Sequence, residues 1–206
     1  MRVTREQAAA NREQVVVSAA RQFRKHGFSA VSISDVMKAA GLTHGGFYGH
    51  FPSKQALESE VCRRGLAESV AAVDAALDDG PDQKPSEAPS FLRRFVDTYV
   101  SADHRDTPEQ GCTVAALACD AGRSEPALQE LFVEGITGMA DSLARLRRRD
   151  APGEEQADAP DLATLSSMVG ALVLSRAVAG ADPALSEAIL AATREQVEAR
   201  TATPGT

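Results

Sequence analysis

Apolar residues recur at spacings of three and four along residues 126–149, and this helical period limits the possible folds more than any other feature of the chain. The stripe consists of Leu128, Leu131, Phe132, Ile136, Met139, Leu143 and Leu146. Similar periods return in other segments, whereas the alternating runs of Val, Ile and Thr that are typical of β-strands do not occur. The sequence therefore predicts an all-α protein.

Glycine, proline and helix-capping residues divide the chain into about nine predicted helices. Their approximate bounds are residues 5–25, 32–40, 43–50, 53–77, 90–102, 112–121, 126–149, 162–179 and 183–200. His104 and Arg105 fall in a predicted loop after the fifth of these helices. Residues 78–89 and 150–161 are rich in proline, glycine and charge and are predicted to be flexible linkers, and residues 201–206 are predicted to be a disordered tail.

The net charge of −7 is distributed unevenly along the chain. Residues 1–55 carry eight Lys/Arg and three Asp/Glu, a net charge of +5, whereas residues 56–206 carry a net charge of −12. We expect phosphates to attract the basic part and to repel the acidic part. This distribution favours nucleic acid as a partner of residues 1–55, with a chance asymmetry as the alternative.

The cysteines and the hydropathy pattern argue against a metal site and a membrane segment. No apolar run approaches the roughly 18 residues that a bilayer span needs, and the polar N-terminus is unlike a secretory signal. Cys62, Cys112 and Cys119 lack the spacing of a zinc site. We therefore expect a cytoplasmic protein with reduced thiols, no cofactor, no metal and no membrane partner.

Residues 32–51, SISDVMKAAGLTHGGFYGHF, have the layout of a helix-turn-helix. A short helix ends at Gly41, and Thr43 is a plausible N-cap for a third, very short helix in which Phe47 is an apolar anchor. Gly45 and Gly46 lie inside this helix, where each costs about 0.8–1 kcal/mol relative to Ala. Such a break with local stability rules often marks a functional site.

The third helix suits contact with duplex DNA, because its glycines let the backbone approach a groove closely. His44 and the neighbourhood of Gly46 are best placed to meet base edges in the major groove. Alternatives stay open, since Tyr48 could be a core residue, His50 could cap the helix and Lys54 could be a solvated charge. The polar residues that can donate to phosphate oxygens are Thr43, Tyr48, His50 and Lys54.

These motifs resemble the N-terminal domain of the TetR family of transcriptional regulators. That family combines a first helix with T/S-hydrophobic-x-D/E-I/V, A-G-hydrophobic-S/T, G-x-hydrophobic-Y-x-H-F and S-K-x-x-L. The departure here is Gly49, where many members carry a larger residue, and this puts the strength of backbone anchoring in doubt. The matching runs are Phe23, Gly27-Phe28, Ser32-Ile33-Ser34-Asp35-Val36, Ala40-Gly41-Leu42-Thr43, Gly45-Gly46-Phe47-Tyr48-Gly49-His50-Phe51 and Ser53-Lys54-Gln55-Ala56-Leu57.

The resemblance implies a dimeric bacterial repressor that a small-molecule effector releases from a palindromic operator. Residues 1–55 would form the helix-turn-helix DNA-binding domain, and residues 56–200 the helical effector-binding and dimerisation domain. The partners would be double-stranded operator DNA, the effector and a second copy of the chain. The implied DNA-binding residues are Ser32, Thr43, Tyr48, His50 and Lys54 at phosphates and His44 and Gly46 at bases, with Gly45 on the same surface.

The resemblance also implies an effector pocket and an interface on the last two helices, and the apolar pattern of residues 56–200 permits both. For the apolar pocket candidates, the alternative is core packing. For the cysteines, the alternatives are buried structural thiols and effector sensing by cysteine chemistry. The pocket candidates are Phe95, Tyr99, Cys112, Leu117, Cys119, Phe132 and Met139. The interface candidates are Leu165, Met168, Val169, Leu172, Val173, Leu185, Ile189 and Val197.

Two other functions remain open. A small helical enzyme or metabolite carrier is disfavoured, because the sequence shows no acid pair, Ser/His/Asp set, metal-ligand cluster or phosphate loop. A non-specific DNA-binding protein would be distinguished by a specificity ratio near one between cognate and random DNA.

Overall fold

The computed structural model describes residues 4–78, 90–150 and 159–202, without the side chains of Asp78 and residues 200–202. Within these ranges every regular element is helical, which confirms the predicted all-α class. The α-helices are α1 (Arg5–His26), α2 (Ile33–Ala39), α3 (Lys54–Asp78), α4 (Phe91–Tyr99), α5 (Ala102–Asp106), α6 (Thr113–Ala121), α7 (Pro126–Asp150), α8 (Leu162–Val178) and α9 (Pro183–Ala202). Two 3₁₀ segments, His44–Gly49 and Pro108–Gln110, lie between them.

Local capping signals fix both ends of α1. The Thr4 hydroxyl accepts a hydrogen bond from the Gln7 amide at 3.2 Å, which satisfies one of the free donors of the first turn. At the other end Gly27 takes a φ of 77° and donates its N–H to the Phe23 carbonyl. Glycine adopts this left-handed conformation at little cost, so the chain leaves the helix at the predicted residue.

The helix predicted over about residues 90–102 ends at Tyr99, and the loop predicted after it contains a short helix. Val100 has a φ of −92° and a ψ of 66°, which ends α4 at Tyr99. The Ser101 hydroxyl then accepts the His104 amide and begins α5. His104 and Arg105 therefore lie on a short helix and are half-buried rather than placed in an exposed loop.

Helix α5 is held by arginines of the last two helices. Arg176 of α8 donates to the carbonyls of His104 and Arg105, at 2.6 and 3.0 Å. Arg194 of α9 donates to the Val100 carbonyl at 2.6 Å. Guanidinium groups suit these positions because the last carbonyls of a helix carry partial negative charge and lack partners within the helix.

The described residues form two compact units that do not follow chain order. The first combines residues 1–67 with 108–132, and the second combines residues 68–107 with 133–206, each as far as it is described. The predicted boundary after residue 55 falls near the start of α3. In the first unit, α1 packs on α2, on α6 and on the 3₁₀ segment Pro108–Gln110. In the second, α9 packs on α8 and α4, and α5 packs on α8.

Both predicted linkers lie largely outside the described residues, but the two edges of the second one cap helices. The Asp150 carboxylate accepts the amides of Phe91 and Leu92, at 2.7 and 2.9 Å, and so caps α4 from the end of α7. Asp161 accepts the Thr164 amide and caps α8. Helix α9 extends through Ala202, so the first two residues of the predicted tail are helical, and the other four lie outside the described residues.

No helix among the described residues combines the length and the apolar character that a membrane span requires.

Candidate nucleic-acid interface

The start of α2 is fixed by a capping box, in which Ser32 and Asp35 satisfy each other's backbone amides. The Ser32 hydroxyl accepts the Asp35 amide at 3.1 Å, and the Asp35 carboxylate accepts the Ser32 amide at 2.9 Å. The same carboxylate accepts the Ser32 hydroxyl at 2.6 Å, and these hydrogen bonds lower the pKa of Asp35. Ser32 is exposed, but its hydroxyl proton is already engaged within the chain.

The turn after α2 is a Schellman motif centred on Gly41, which has a φ of 70°. The Leu42 amide donates to the Met37 carbonyl at 2.9 Å, and the Gly41 amide donates to the Lys38 carbonyl at 3.1 Å. The prediction that Gly41 ends this helix is confirmed. The turn sends the chain directly into the segment His44–Gly49.

The segment His44–Gly49, called the recognition segment below, is a 3₁₀ helix held by one buried aromatic side chain. Phe47 is 0% exposed and stacks on Phe51 with ring centroids 5.9 Å apart, in a segment that packs on α2. The neighbouring Tyr48 is 65% exposed and meets Phe47 edge-on at 5.3 Å. Anchoring at one residue thus leaves its neighbour projecting into solvent.

The glycines of the recognition segment are not explained by the backbone or by packing within the chain. Among the described residues only Gly27 and Gly41 have positive φ. A Cβ atom at Gly45 or Gly49 would have no heavy atom within 4 Å. At Gly46 it would meet only Met37 and Thr43, at the ordinary distances of 3.7 and 3.8 Å. Alanine would fit at all three positions, so neither the backbone conformation nor packing within the described residues requires glycine there.

The other predicted DNA-binding residues around the recognition segment differ in their exposure and in their hydrogen bonds. Thr43 is exposed at the N-cap position, and its side chain makes no capping hydrogen bond. His44 is exposed. His50 is half-buried at the C-cap, where its amide donates to the Phe47 carbonyl at 2.8 Å. Threonine, histidine and tyrosine therefore present polar tips from one short stretch of chain.

Lys54 differs from these residues because its ammonium group is engaged within the first unit. It donates to the Phe28 carbonyl, lies 3.5 Å from the Glu58 carboxylate and stands 5.7 Å from the centre of the Phe23 ring. Its side chain is 26% exposed. The sequence could not show these partners, because Phe28 and Phe23 lie far from Lys54 along the chain.

The pocket candidates fall in both units. In the first unit Cys112, Leu117 and Phe132 are buried, and in the second unit Tyr99 and Met139 are buried. Phe95 is half-buried. The expectation of a buried thiol is wrong for Cys119, which is exposed.

The remaining thiol, Cys62, is enclosed in the first unit. Burial first, and then the charges of Glu58 and Asp120, raise the pKa of Cys62 to about 12. Since the thiolate is the reactive form, this residue is inert near neutral pH.

Half of the interface candidates are core residues of the second unit. Leu165, Met168, Leu172 and Val197 are at most 3% exposed, because α8 packs against α9 within the same chain. These four side chains therefore pack within the second unit, and their part in an interface with a second copy stays a prediction. Surface remains on the other four candidates, Val169, Val173, Leu185 and Ile189. Leu162 and Leu174, which were not candidates, are 52% and 59% exposed.

The sequence analysis did not predict the close approach between α3 and α6. A Cβ atom at Gly65 would lie 2.2 Å from Oγ1 of Thr113, a residue that is 1% exposed. Nearby, Arg24 of α1 donates to the Glu109 carbonyl at 3.0 Å and attaches the 3₁₀ segment Pro108–Gln110. The available signal was a glycine inside the apolar period of α3, which often marks close packing.

Comparison with known proteins places this arrangement in a family. Residues 15–61, which include the C-terminal half of α1, α2 and the recognition segment, match the family described as bacterial regulatory proteins, tetR family. The N-terminal region of the chain belongs to the TetR family. The segments predicted from the motifs of residues 32–57 therefore coincide with the region by which TetR-family proteins are identified.

Curated relatives match the same N-terminal region. The HTH-type transcriptional regulator AcrR of Shigella flexneri is 38% identical over 60 residues, which are 29% of this chain and 28% of that protein. The "Probable acrEF/envCD operon repressor" of Escherichia coli is 34% identical over 58 residues, 28% of this chain and 26% of that protein. The match thus spans little more than a quarter of these relatives.

Solved structures extend the likeness in fold to nearly the whole chain. A TetR transcriptional regulator from Chloroflexus aurantiacus has a TM-score of 0.70 and 24% identity, and covers 94% of this chain and 96% of that one. A TetR-family regulator from Agrobacterium tumefaciens has a TM-score of 0.70 and 19% identity, with coverage of 92% and 98%. Both support the TetR fold beyond the N-terminal match.

Proposed function

We propose that this TetR-family chain is a dimeric transcriptional repressor that binds operator DNA through the outward face of its recognition segment. The observation that carries the proposal is the contrast between Phe47, which is buried, and Tyr48, which is 65% exposed beside glycines with open space. A surface of this kind lets a helix backbone approach duplex DNA while hydroxyl groups reach phosphates.

Each polar residue has a role in this proposal. The hydroxyls of Thr43 and Tyr48 and the ring of His50 donate to phosphate oxygens, which sets the register on the duplex. His44 and the backbone at Gly45 and Gly46 face base edges in the major groove. The exposed Ser32, at the start of α2, lies against the phosphate backbone beside them without donating to it, because its hydroxyl proton is engaged by Asp35.

A second copy of the chain is the proposed partner of α8 and α9. Four large apolar side chains on these helices or at their start keep substantial exposure: Leu162, Val173, Leu174 and Leu185. Exposed apolar surface of this kind is costly in a monomer and favours association. A two-fold dimer would present two recognition segments about 34–36 Å apart, which fits two half-sites of a palindromic operator.

The proposed regulation is release of the operator by a small-molecule effector. Effector binding would favour a conformation whose spacing no longer fits DNA, which requires a coupling of only about 1–3 kcal/mol. Exposed Cys119 is the candidate for sensing by cysteine chemistry. The relative from Escherichia coli is named as an operon repressor, which supports repression rather than catalysis. Such a repressor would act in the bacterial cytoplasm.

The test of DNA binding uses Tyr48→Ala in the full-length chain. A short duplex is first selected from a random library by the wild-type protein, and affinities for this duplex and a scrambled one are measured by gel shift. Because Tyr48 projects from the recognition segment without supporting the core, we expect affinity to fall at least about tenfold, or ~1.4 kcal/mol, with unchanged helicity.

Val133→Ala is the matched control, since Val133 is also 65% exposed but lies on α7. Unchanged affinity of Tyr48→Ala, or no enriched duplex in the selection, would contradict the proposal. A wild-type specificity ratio near one would favour non-specific DNA binding instead.

The dimer is tested by Leu174→Glu, because a carboxylate at an apolar interface would lose its water shell on association. Sedimentation equilibrium is expected to show a dimer for the wild type and mostly monomer for the variant. Val17→Glu, at a 46% exposed position on α1, is the control and should remain dimeric. A wild-type monomer at micromolar concentration would remove the dimer from the proposal.

A further inference from the structure

Residues 108–121, called the inserted segment below, comprise the 3₁₀ helix Pro108–Gln110 and α6. The chain leaves the second unit after residue 107, passes through the first unit over residues 108–132 and then returns to the second unit. Within the first unit, both helices of the inserted segment pack on α1, and α1 packs on α2. Helix α2 packs on the recognition segment. A continuous series of packed elements therefore joins the inserted segment to the recognition segment.

Arg24, in the last turn of α1, makes a polar attachment to the start of the inserted segment. Its Nε donates to the Glu109 carbonyl at 3.0 Å, across 85 positions of the chain. The half-buried guanidinium also lies beside α3, because its Nη1 is 3.5 Å from the position that a Cβ atom of Gly65 would take. A hydrogen bond with a charged donor is stronger than one between neutral groups. Arg24 therefore ties the end of α1 to a segment that is distant in sequence.

Two close approaches hold α6 against the same end of α1 and against α3. A Cβ atom at Gly27, directly after α1, would lie 3.1 Å from Oδ2 of Asp120. A Cβ atom at Gly65 would lie 2.2 Å from Oγ1 of Thr113, a residue that is 1% exposed. Closely packed interiors transmit displacement, since they contain few voids that could absorb a shift. We therefore expect a shift of α6 to displace α1 as well.

We infer that Arg24 couples the inserted segment to the recognition segment, so that a conformational change at one is transmitted to the other through α1. This inference rests on the proposed function and deepens its regulation, because it names a residue through which the DNA-binding surface responds to the rest of the chain. Arg24 is a positioning residue in this scheme, since it acts on the recognition segment through α1 and α2.

The coupling can be tested from the DNA side, because coupling between two sites is reciprocal. If a change in the inserted segment alters operator affinity, operator binding must alter the inserted segment by the same free energy. Amide hydrogen exchange of the full-length wild-type chain is followed by mass spectrometry, with and without the selected duplex. On saturation with duplex, we expect exchange in residues 108–121 to slow at least about fivefold, the lower end of usual couplings between sites. Exchange in α9 should not change.

Arg24→Met removes the guanidinium but keeps a flexible side chain. At saturating duplex, we expect residues 32–50 of this variant to be protected as in the wild type, whereas the protection of residues 108–121 is lost. Arg24→Lys keeps a charged donor and should retain most of that protection. The matched control for loss of one positive charge is Arg21→Met, because Arg21 is exposed one turn earlier on α1. This control should keep the wild-type protection of the inserted segment.

Equal protection of residues 108–121 in Arg24→Met and in the wild type would overturn the inference. So would an inserted segment that does not respond to duplex in the wild-type chain, a result that does not depend on the folding of a variant. Slowing by the same factor in α9 would overturn it as well, because it would indicate general stabilisation of the chain rather than coupling through Arg24. A wild-type chain that binds no duplex would instead defeat the proposed function.

Discussion

The glycines of the recognition segment and two glycines of the long helices α3 and α7 are constrained in opposite ways. On the recognition segment, Gly45 and Gly49 have no heavy atom within 4 Å of the position that a Cβ atom would take. On α3 and α7, a Cβ atom at Gly65 would lie 2.2 Å from Thr113, and one at Gly138 would lie 3.0 Å from Val70. All four residues lie in helical segments without positive φ.

The difference shows that a glycine can occupy a helical position in two different settings. On α3 and α7 a neighbouring side chain of the same unit occupies the space, so the glycine serves packing. On the recognition segment the space is open. Glycine lowers helix stability relative to alanine, and no packing within the monomer offsets this loss. In the proposed function, the open glycines beside the exposed Tyr48 ring belong to the surface that DNA approaches.

The largest effect is expected for Gly65→Ala, which tests the packed side of the comparison. The new Cβ atom would overlap Thr113 Oγ1, and overpacking a buried site costs about 1–3 kcal/mol, with the upper part of that range expected here. Urea unfolding followed by circular dichroism measures the loss in free energy of unfolding.

The double variant Gly65→Ala with Thr113→Ala should recover much of this loss, because the nearest remaining atom is the Cβ of residue 113, at 3.3 Å. Gly122→Ala is the control, since its nearest neighbour is the Ala118 carbonyl oxygen at 3.7 Å. Equal stability of the Gly65 and Gly122 variants would break the comparison.

The next effect is expected for Gly45→Ala, on the open side. Stability should stay the same or rise by about 0.4–1 kcal/mol, because alanine restricts the unfolded chain more than glycine. Affinity for the selected duplex should fall about tenfold, or ~1.4 kcal/mol, because the methyl group keeps the backbone away from the groove.

Gly180→Ala tests the same substitution at another open position, between α8 and α9, and gel shifts should show unchanged affinity. If Gly45→Ala bound DNA as well as the wild type, the interpretation of the open glycines would fail.

The smallest effect is expected for Gly138→Ala, where the contact is tight but the neighbour can rotate. Val70 Cγ2 would have to move by a few tenths of an ångström, and we expect a loss of about 1 kcal/mol in the free energy of unfolding. Val70→Ala in the same chain should relieve the contact. A gain in stability from Gly138→Ala alone would show that this glycine belongs with the open ones.

The sequence determined those features of the chain that depend on neighbours within a turn. Ser32 and Asp35 form a capping box because they stand three residues apart, and Gly41 ends α2 because only a glycine takes that conformation cheaply. The motif that carries Phe47 and Tyr48 likewise indicated both the helix-turn-helix and the family. Such signals act locally and can be seen in a single sequence.

Only the tertiary structure decided which side chains are covered. Leu165 and Leu172 share the helical period of Val173, yet packing of α8 on α9 buries the first two and leaves Val173 40% exposed. The sequence predicts that Lys54 is a solvated charge or a phosphate ligand. Only the folded chain shows that the Phe28 carbonyl also accepts a hydrogen bond from its ammonium group. The physical reason is that burial and hydrogen bonding between distant segments depend on their approach in space, which spacing along the chain does not encode residue by residue.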